Sequence, residues 1–112
     1  MASPETVVCL FRVQAGKEEE FQRLLTDHWP TLRRLNLATD MPPQHFRGEE
    51  KSGEPIFVEI FEWASRQAAA MAHEHPEVAA LWEPMEQLTE ARDGRPPMEF
   101  PHVQPIQLHG QA

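Results

Sequence analysis

The segment Pro55-Ile-Phe-Val-Glu-Ile-Phe-Glu-Trp63 decides how the rest of this chain can fold. Side chains of an extended strand alternate between its two faces. One face carries three branched residues: Ile56, Val58 and Ile60. The other face carries four residues, three of them aromatic: Phe57, Glu59, Phe61 and Trp63. A strand that is apolar on both faces is covered on both. Helices of the same chain can cover one side, so the pattern predicts a second subunit on the other.

A first strand, Thr6–Val13, repeats this pattern. Its faces are Val7, Cys9, Phe11 and Val13 on one side, and Val8, Leu10 and Arg12 on the other. A helix then opens at Lys17 with three acidic residues, where the helix dipole favours negative charge. Its apolar stripe is Phe21, Leu24, Leu25, His28, Leu32 and Leu35. Pro30 lies within the stripe and predicts a kink near His28 and Trp29.

The second half of the chain repeats the plan. Gln44–Arg47 and the opening segment form a predicted hairpin around the polar turn 48–54. Ser65 is the predicted N-cap of an Ala-rich helix, which His73-Glu-His-Pro76 interrupts before Pro76 starts a renewed helix. That helix is expected to bend at Pro84 and to end near Thr89. It carries a second apolar stripe, formed by Val78, Leu81, Trp82, Met85 and Leu88. Two prolines make Met98–Leu108 an irregular edge strand.

The element order predicts an α+β fold with ferredoxin-like βαββαβ topology, in which two helices cover one face of an antiparallel sheet. We expect one domain over residues 6–108, an N-terminal tail over 1–5 and a C-terminal tail over 109–112. The 112 residues carry 10 Lys and Arg against 18 Asp and Glu, a net charge of -8 that repels nucleic acid. The sequence contains neither a membrane-spanning run nor a secretory signal, so we expect a cytoplasmic protein without nucleic-acid or membrane partners.

The chain resembles the dimeric α+β barrel superfamily, particularly its antibiotic-biosynthesis-monooxygenase-like proteins. The resemblance covers Thr6 to about Leu108. It rests on the element order, on the run Glu62-Trp63-Ala-Ser-Arg-Gln-Ala68, and on Ala72-His73 followed by Pro76-Glu-Val-Ala-Ala-Leu-Trp82. It implies a homodimer with one apolar pocket per subunit. Since such folds support several chemistries, function has to be argued from the site.

Two catalytic patterns of that superfamily do not transfer to this sequence. The haem-degrading relatives use an Asn, a Trp and a His, whose positions here fall on Cys9, Ala72 and Trp82, and none matches. The polyketide-oxidising relatives use an Asn, a Trp and a Tyr, and this chain has no Tyr. The resemblance therefore implies a pocket but no complete catalytic set.

Glu59 is the most informative candidate, because a carboxylate between Phe57 and Phe61 on a covered strand must be paired or have a raised pKa. We expect a salt bridge to Arg12 or Arg47, on neighbouring strands or across the dimer, with a catalytic base as the alternative. His28, on the helix stripe, is interpreted as a hydrogen-bonded histidine at the edge of the core.

His73 is the second catalytic candidate, as a pocket acid or base, against a plain helix-break histidine. His73 and His75 diverge by about 200° on a regular helix, so we predict no metal site and no cofactor. Cys9, as a single cysteine, excludes an intrachain disulfide. The predicted ligand pocket consists of Cys9, Phe11, His45, Phe61, Trp82 and Met85.

Two functions fit these expectations. The first is a cofactor-independent monooxygenase-like enzyme that binds a small apolar or aromatic substrate, orients it through His73 or His45 and removes a proton with Glu59 or His73. The second is a non-catalytic binding or auxiliary protein that shares the fold.

Overall fold

The computed structural model describes residues 3–110, which fold in the predicted element order. The elements are β1 (Glu5–Arg12), α1 (Glu18–Arg34), β2 (Gln44–Glu49), β3 (Pro55–Trp63), α2 (Arg66–Ala72), α3 (Pro76–Gln87), β4 (Met98–Glu99) and β5 (His102–Val103). The second helix and the last strand of the βαββαβ plan are each divided in two. Within this range, no helix is both long and apolar enough to cross a membrane.

The sheet is antiparallel throughout, in the order β2-β3-β1-β4, with β5 also paired to β1. In this register Cys9 on β1 and His45 on β2 both lie opposite Glu59 on β3. Directly opposed residues point to the same face of a sheet. The register therefore gathers these three side chains on one face, at the middle of the sheet.

The helices cover that same face. Phe21 on α1 lies between two sheet residues, with ring centroids 4.9 Å from Phe11 and 5.3 Å from Phe57. The stripe residues Leu25, His28 and Leu32 are buried, as predicted, and α1 continues through Pro30 to Arg34. The core is thus a single layer between the helices and the inner face of the sheet.

The outer face of the sheet is apolar but incompletely covered. Ile56, Val58 and Ile60 are half-buried, as are Val8 and Leu10 on β1. Phe46 on β2, opposite Val58, is 53% exposed. The alternation read from β3 is therefore confirmed, with Phe57, Glu59, Phe61 and Trp63 buried on the inner face.

The predicted helix break occurs between Ala72 and Pro76. The Ser65 hydroxyl accepts a hydrogen bond from the Ala68 backbone N–H at 3.0 Å and caps α2. His75 caps α3, since its Nδ1 accepts from the Glu77 backbone N–H at 3.2 Å. α3 continues through Pro84 and ends at Gln87, two residues before the predicted end.

The C-terminal segment forms the predicted edge strand, but in shorter pieces, and these pair with β1. Backbone N–H groups of Val8 and Arg12 donate to the carbonyl oxygens of Pro101 and Pro97, at 2.9 and 2.8 Å. The pairing ends at Val103, five residues before the predicted end at Leu108. The predicted C-terminal tail lies partly outside the described residues, since Gln111 and Ala112 are not among them.

Candidate active site

Glu59 is the centre of the site and is completely buried. Its Oε1 lies 2.6 Å from Nδ1 of His28 on α1, and its Oε2 lies 2.7 Å from Nε2 of His45 on β2. Strand alternation turns Glu59 towards the helices, and the register places His45 beside it. The apolar stripe of α1 carries His28 over the same point. Each carboxylate oxygen therefore has a histidine partner.

The expected salt bridge from Glu59 to Arg12 or Arg47 is wrong. Arg12 points to the opposite face of the sheet, where it pairs with Glu99 at 2.7 Å and donates to the Pro96 carbonyl at 2.6 Å. Arg47 shares the face of Glu59, but its guanidinium lies 5.4 Å from the Phe57 ring centroid and 4.0 Å from Glu18. Arg12 cannot pair with Glu59 because the two side chains lie on opposite faces of the sheet. His45, directly opposite Glu59, takes the place expected for Arg47.

Trp82 on α3 extends this cluster by one hydrogen bond, because its indole Nε1–H donates to Nε2 of His28 at 2.8 Å. An indole N–H can only donate, so Nε2 of His28 must be the unprotonated acceptor. The proton of the neutral imidazole then resides on Nδ1 and is donated to Glu59. The geometry thus fixes the tautomer of His28 as well as the orientation of its ring.

The charge of Glu59 is stabilised by these partners. Burial raises the pKa of Glu59, but the hydrogen bonds from His28 and His45 outweigh it, and the pKa lies below its usual value. The hydrogen bond to Glu59 raises the pKa of His45 against the opposing effect of burial. Burial, and secondarily the charge of Glu59, raise the pKa of the Cys9 thiol well above its usual value. The site therefore holds an ionised carboxylate and a protonated thiol.

A cavity of about 260 Å³ lies beside this cluster, between the inner face of the sheet and α1, α2 and α3. Its predicted lining residues are Cys9, Phe11, Phe61, Trp82 and His73. Further lining residues, which sequence reasoning did not assign to the pocket, are Val7, His28, Trp63, Ala69, Glu86, Met98, Phe100 and His102. The walls are mainly apolar and aromatic, which suits a flat organic ligand.

Three predicted site residues lie elsewhere. Met85 is buried in the core at 1% exposure, and Glu59 reaches the cavity only through His28. His45 lines a separate groove between α1 and β2. The signal for His28 was present in the sequence, because an imidazole on an apolar stripe needs a buried partner, but the identity of that partner depends on the strand register.

His73 lies at the exposed end of α2 and forms part of the cavity wall. Its ring centroid is 4.9 Å from that of Trp82, in a T-shaped arrangement. His75, which could have joined it in a metal site, is committed to the cap of α3. No group of three or more potential metal ligands occurs within residues 3–110.

Comparison with known proteins finds similar folds among solved structures. No family model matches the chain, and no curated protein is significantly similar in sequence. Among solved structures, SnoaB, a cofactor-independent oxygenase from Streptomyces nogalater, superposes with a TM-score of 0.66 at 18% identity, over 98% of this chain and 100% of SnoaB. The chain has a ferredoxin-like α+β fold.

Two further structures agree. A dimeric ferredoxin-like protein of unknown function from Jannaschia sp. has a TM-score of 0.68 at 10% identity, over 91% of this chain and 99% of that one. A predicted antibiotic biosynthesis monooxygenase from Caulobacter crescentus has a TM-score of 0.65 at 14% identity, over 95% and 92%. The predicted fold class and the resemblance to monooxygenase-like proteins are thereby confirmed. At these identities the likeness is one of fold.

Proposed function

We propose that this protein binds a small hydroxylated aromatic compound in its cavity and oxidises it with molecular oxygen, without a bound cofactor. The observation that carries the proposal is the His28–Glu59 pair at the edge of an apolar cavity. A buried carboxylate that orients an imidazole and fixes its tautomer is a general-base arrangement. An apolar cavity also favours the binding of both an aromatic ring and oxygen.

In this proposal the substrate hydroxyl takes the place of the Trp82 N–H at Nε2 of His28. The hydroxyl proton moves to Nε2 as the Nδ1 proton shifts towards Glu59, and the substrate becomes an electron-rich anion. The anion supplies the electrons that reduce oxygen: a ring CH₂ group and O₂ become a C=O group and water. His73 and Trp82 provide the aromatic wall against which the substrate ring lies.

The comparisons support this choice among the chemistries of the fold. SnoaB is itself a cofactor-independent oxygenase. The cavity of the present chain has room for a small polycyclic ring system but is lined by few polar groups. A substrate that carries its own reducing electrons requires only a base and a shaped apolar site, roles that this proposal gives to the His28–Glu59 pair and the cavity.

The test is incubation under oxygen with anthrone, whose enol tautomer carries the required hydroxyl; oxygen consumption and product absorbance are measured. Wild type is expected to turn over, and Glu59→Gln and His28→Gln are each expected to lose about a hundredfold in rate. Glu74→Gln, at the exposed helix break, is the control and is expected to retain activity. Equal rates in wild type and Glu59→Gln would contradict the proposal that the His28–Glu59 pair acts as the general base.

A second candidate function is non-catalytic binding of the same kind of ligand. Its support is that Trp82 already occupies the lone pair of His28 Nε2 at 2.8 Å. In that case anthrone raises the melting temperature of the protein but consumes no oxygen.

We also propose that a second copy of the chain covers the outer face of the sheet. The half-buried Ile56, Val58 and Ile60, with the exposed Phe46, form an apolar surface that one subunit leaves open. The dimeric state of the Jannaschia protein, which shares this fold, supports the proposal.

A further inference from the structure

The hydrogen-bond chain that begins at Trp82 continues past the core to the surface. It ends on the edge strand β2 at His45. The His45 side chain is 44% exposed. His45 lines a groove of about 320 Å³ between α1 and β2, together with Thr26 and Arg47 among others. The groove and the substrate cavity share no described lining residue. The chain therefore joins two separate openings of the protein.

The two inner members of this chain are shielded from solvent, and His28 meets only the cavity. The side chains of His28 and Glu59 are 3% and 0% exposed. The cationic neighbour on the same strand, Arg47, is engaged with Phe57 and Glu18 rather than with Glu59. The hydrogen bond to Glu59 raises the pKa of His45, which favours an imidazolium beside the carboxylate. Because Nε2 of His45 is bound to Glu59 at 2.7 Å, Nδ1 is the ring nitrogen left to exchange a proton with the groove that His45 lines.

We propose that His45 is the solvent end of a proton path that serves the buried His28–Glu59 pair, an inference that rests on the function proposed above. When the substrate hydroxyl gives its proton to His28, the Nδ1 proton of His28 passes to Glu59. His45 then releases its Nδ1 proton to water in the groove. One proton enters the buried cluster and one leaves it, so the cluster remains neutral overall.

The same steps run in reverse when oxygen is reduced. A proton returns from the groove to Nδ1 of His45, Glu59 returns its proton to Nδ1 of His28, and Nε2 supplies the proton needed to form water. The cluster regains its starting charges. The cavity itself needs no water for either transfer, and it can remain dry around a reactive anion.

The experiment uses 4-nitrophenol, whose anion absorbs visible light and so reports loss of the phenolic proton directly. Stopped-flow mixing with wild type is expected to show bound phenolate. The His45→Gln variant keeps an N–H donor for Glu59 but cannot take up or release a proton. It is expected to form phenolate about tenfold more slowly, with affinity for the phenol changed by less than about twofold.

A rescue separates proton transfer from structure. His45→Ala opens the groove, and added imidazole is expected to restore its rate of phenolate formation. Imidazole is expected to leave His45→Gln unchanged, because the amide fills the same place. His109→Gln, which removes an exposed histidine outside the site, is the matched control and is expected to behave as wild type.

Equal rates in wild type and His45→Gln overturn the path but leave the proposed function standing. Absence of bound phenolate in wild type contradicts the proposed function instead. In that case the path is tested in the ligand-free protein, where NMR measures how fast the Nδ1 proton of His28 exchanges with solvent. That exchange is expected to be about tenfold slower in His45→Gln than in wild type, and equal exchange overturns the path.

Discussion

At the scale of single residues, the site depends on one carboxylate that is buried and fully hydrogen-bonded. The pKa of Glu59 lies below its ordinary value of 4.5 in the folded protein. A lowered folded-state pKa means that the unfolded chain binds protons more readily. The stabilisation from Glu59 is therefore complete above the ordinary pKa and is lost as pH falls through the folded one.

Replacing Glu59 by Gln is expected to flatten the fall in stability below pH 4.5, since one ionisable group with a lowered pKa is gone. The melting temperature measured between neutral and strongly acidic pH checks this. The Glu74→Gln variant should retain the wild-type slope. A parallel decline for Glu59→Gln and wild type would show that folding does not lower the pKa of Glu59.

Trp82 gives a second residue-scale prediction. Trp82→Phe removes the indole N–H and leaves Nε2 of His28 without a donor, at a cost of about 1 to 3 kcal/mol in unfolding free energy. A phenolic ligand can supply the missing donor, so its affinity is expected to rise in the variant. Urea denaturation and calorimetric titration with 1-naphthol measure the two effects. Weaker binding by Trp82→Phe would mean that the indole holds the ligand itself.

At the scale of elements, the ends of β1 and β3 are joined by a buried arginine from the connector after α3. The guanidinium of Arg92 donates to the carbonyl oxygens of Val13 and Pro55 and pairs with Glu50 and Glu90. Its residue exposure is 6%. Arg92 therefore ties the connector to the open ends of two central strands.

Arg92→Met is expected to lower the free energy of unfolding by about 3 to 5 kcal/mol, because it leaves the carbonyl oxygens of Val13 and Pro55 without their buried guanidinium donor. Urea denaturation measures the loss. Arg33→Met, which removes an exposed ion pair with Asp40, is the control and is expected to cost about 1 kcal/mol or less. A similar loss of unfolding free energy in both variants would mean that Arg92 is exposed to solvent rather than buried.

Elements were predictable from the sequence where their signals are local. The alternation in β3, the stripe of α1, the cap at Ser65 and the break before Pro76 each depend on a few neighbouring residues, and each is confirmed. The partners of Glu59 were not predictable in this way. They depend on a register between strands and on a helix 31 residues away in sequence.

At the scale of the whole molecule, the exposed apolar face of the sheet predicts a dimer. Light scattering of the purified protein is expected to give twice the 12.9 kDa chain mass. Val58→Asp places a charge at the centre of that face and is expected to yield monomers. Lys51→Gln, in the exposed hairpin turn, should leave the dimer intact. A monomeric wild type at micromolar concentration would contradict the proposal that a second subunit covers this face.

The position of the single cysteine has a practical consequence. Cys9 faces the cavity and its thiol stays protonated, so small alkylating reagents should modify it slowly and only by entering that space. With one thiol in the chain, each modified molecule is labelled at a known place. The alkylation rate of Cys9 would then measure how accessible the cavity is to small molecules. A compound bound in the cavity would be detected because it slows this alkylation.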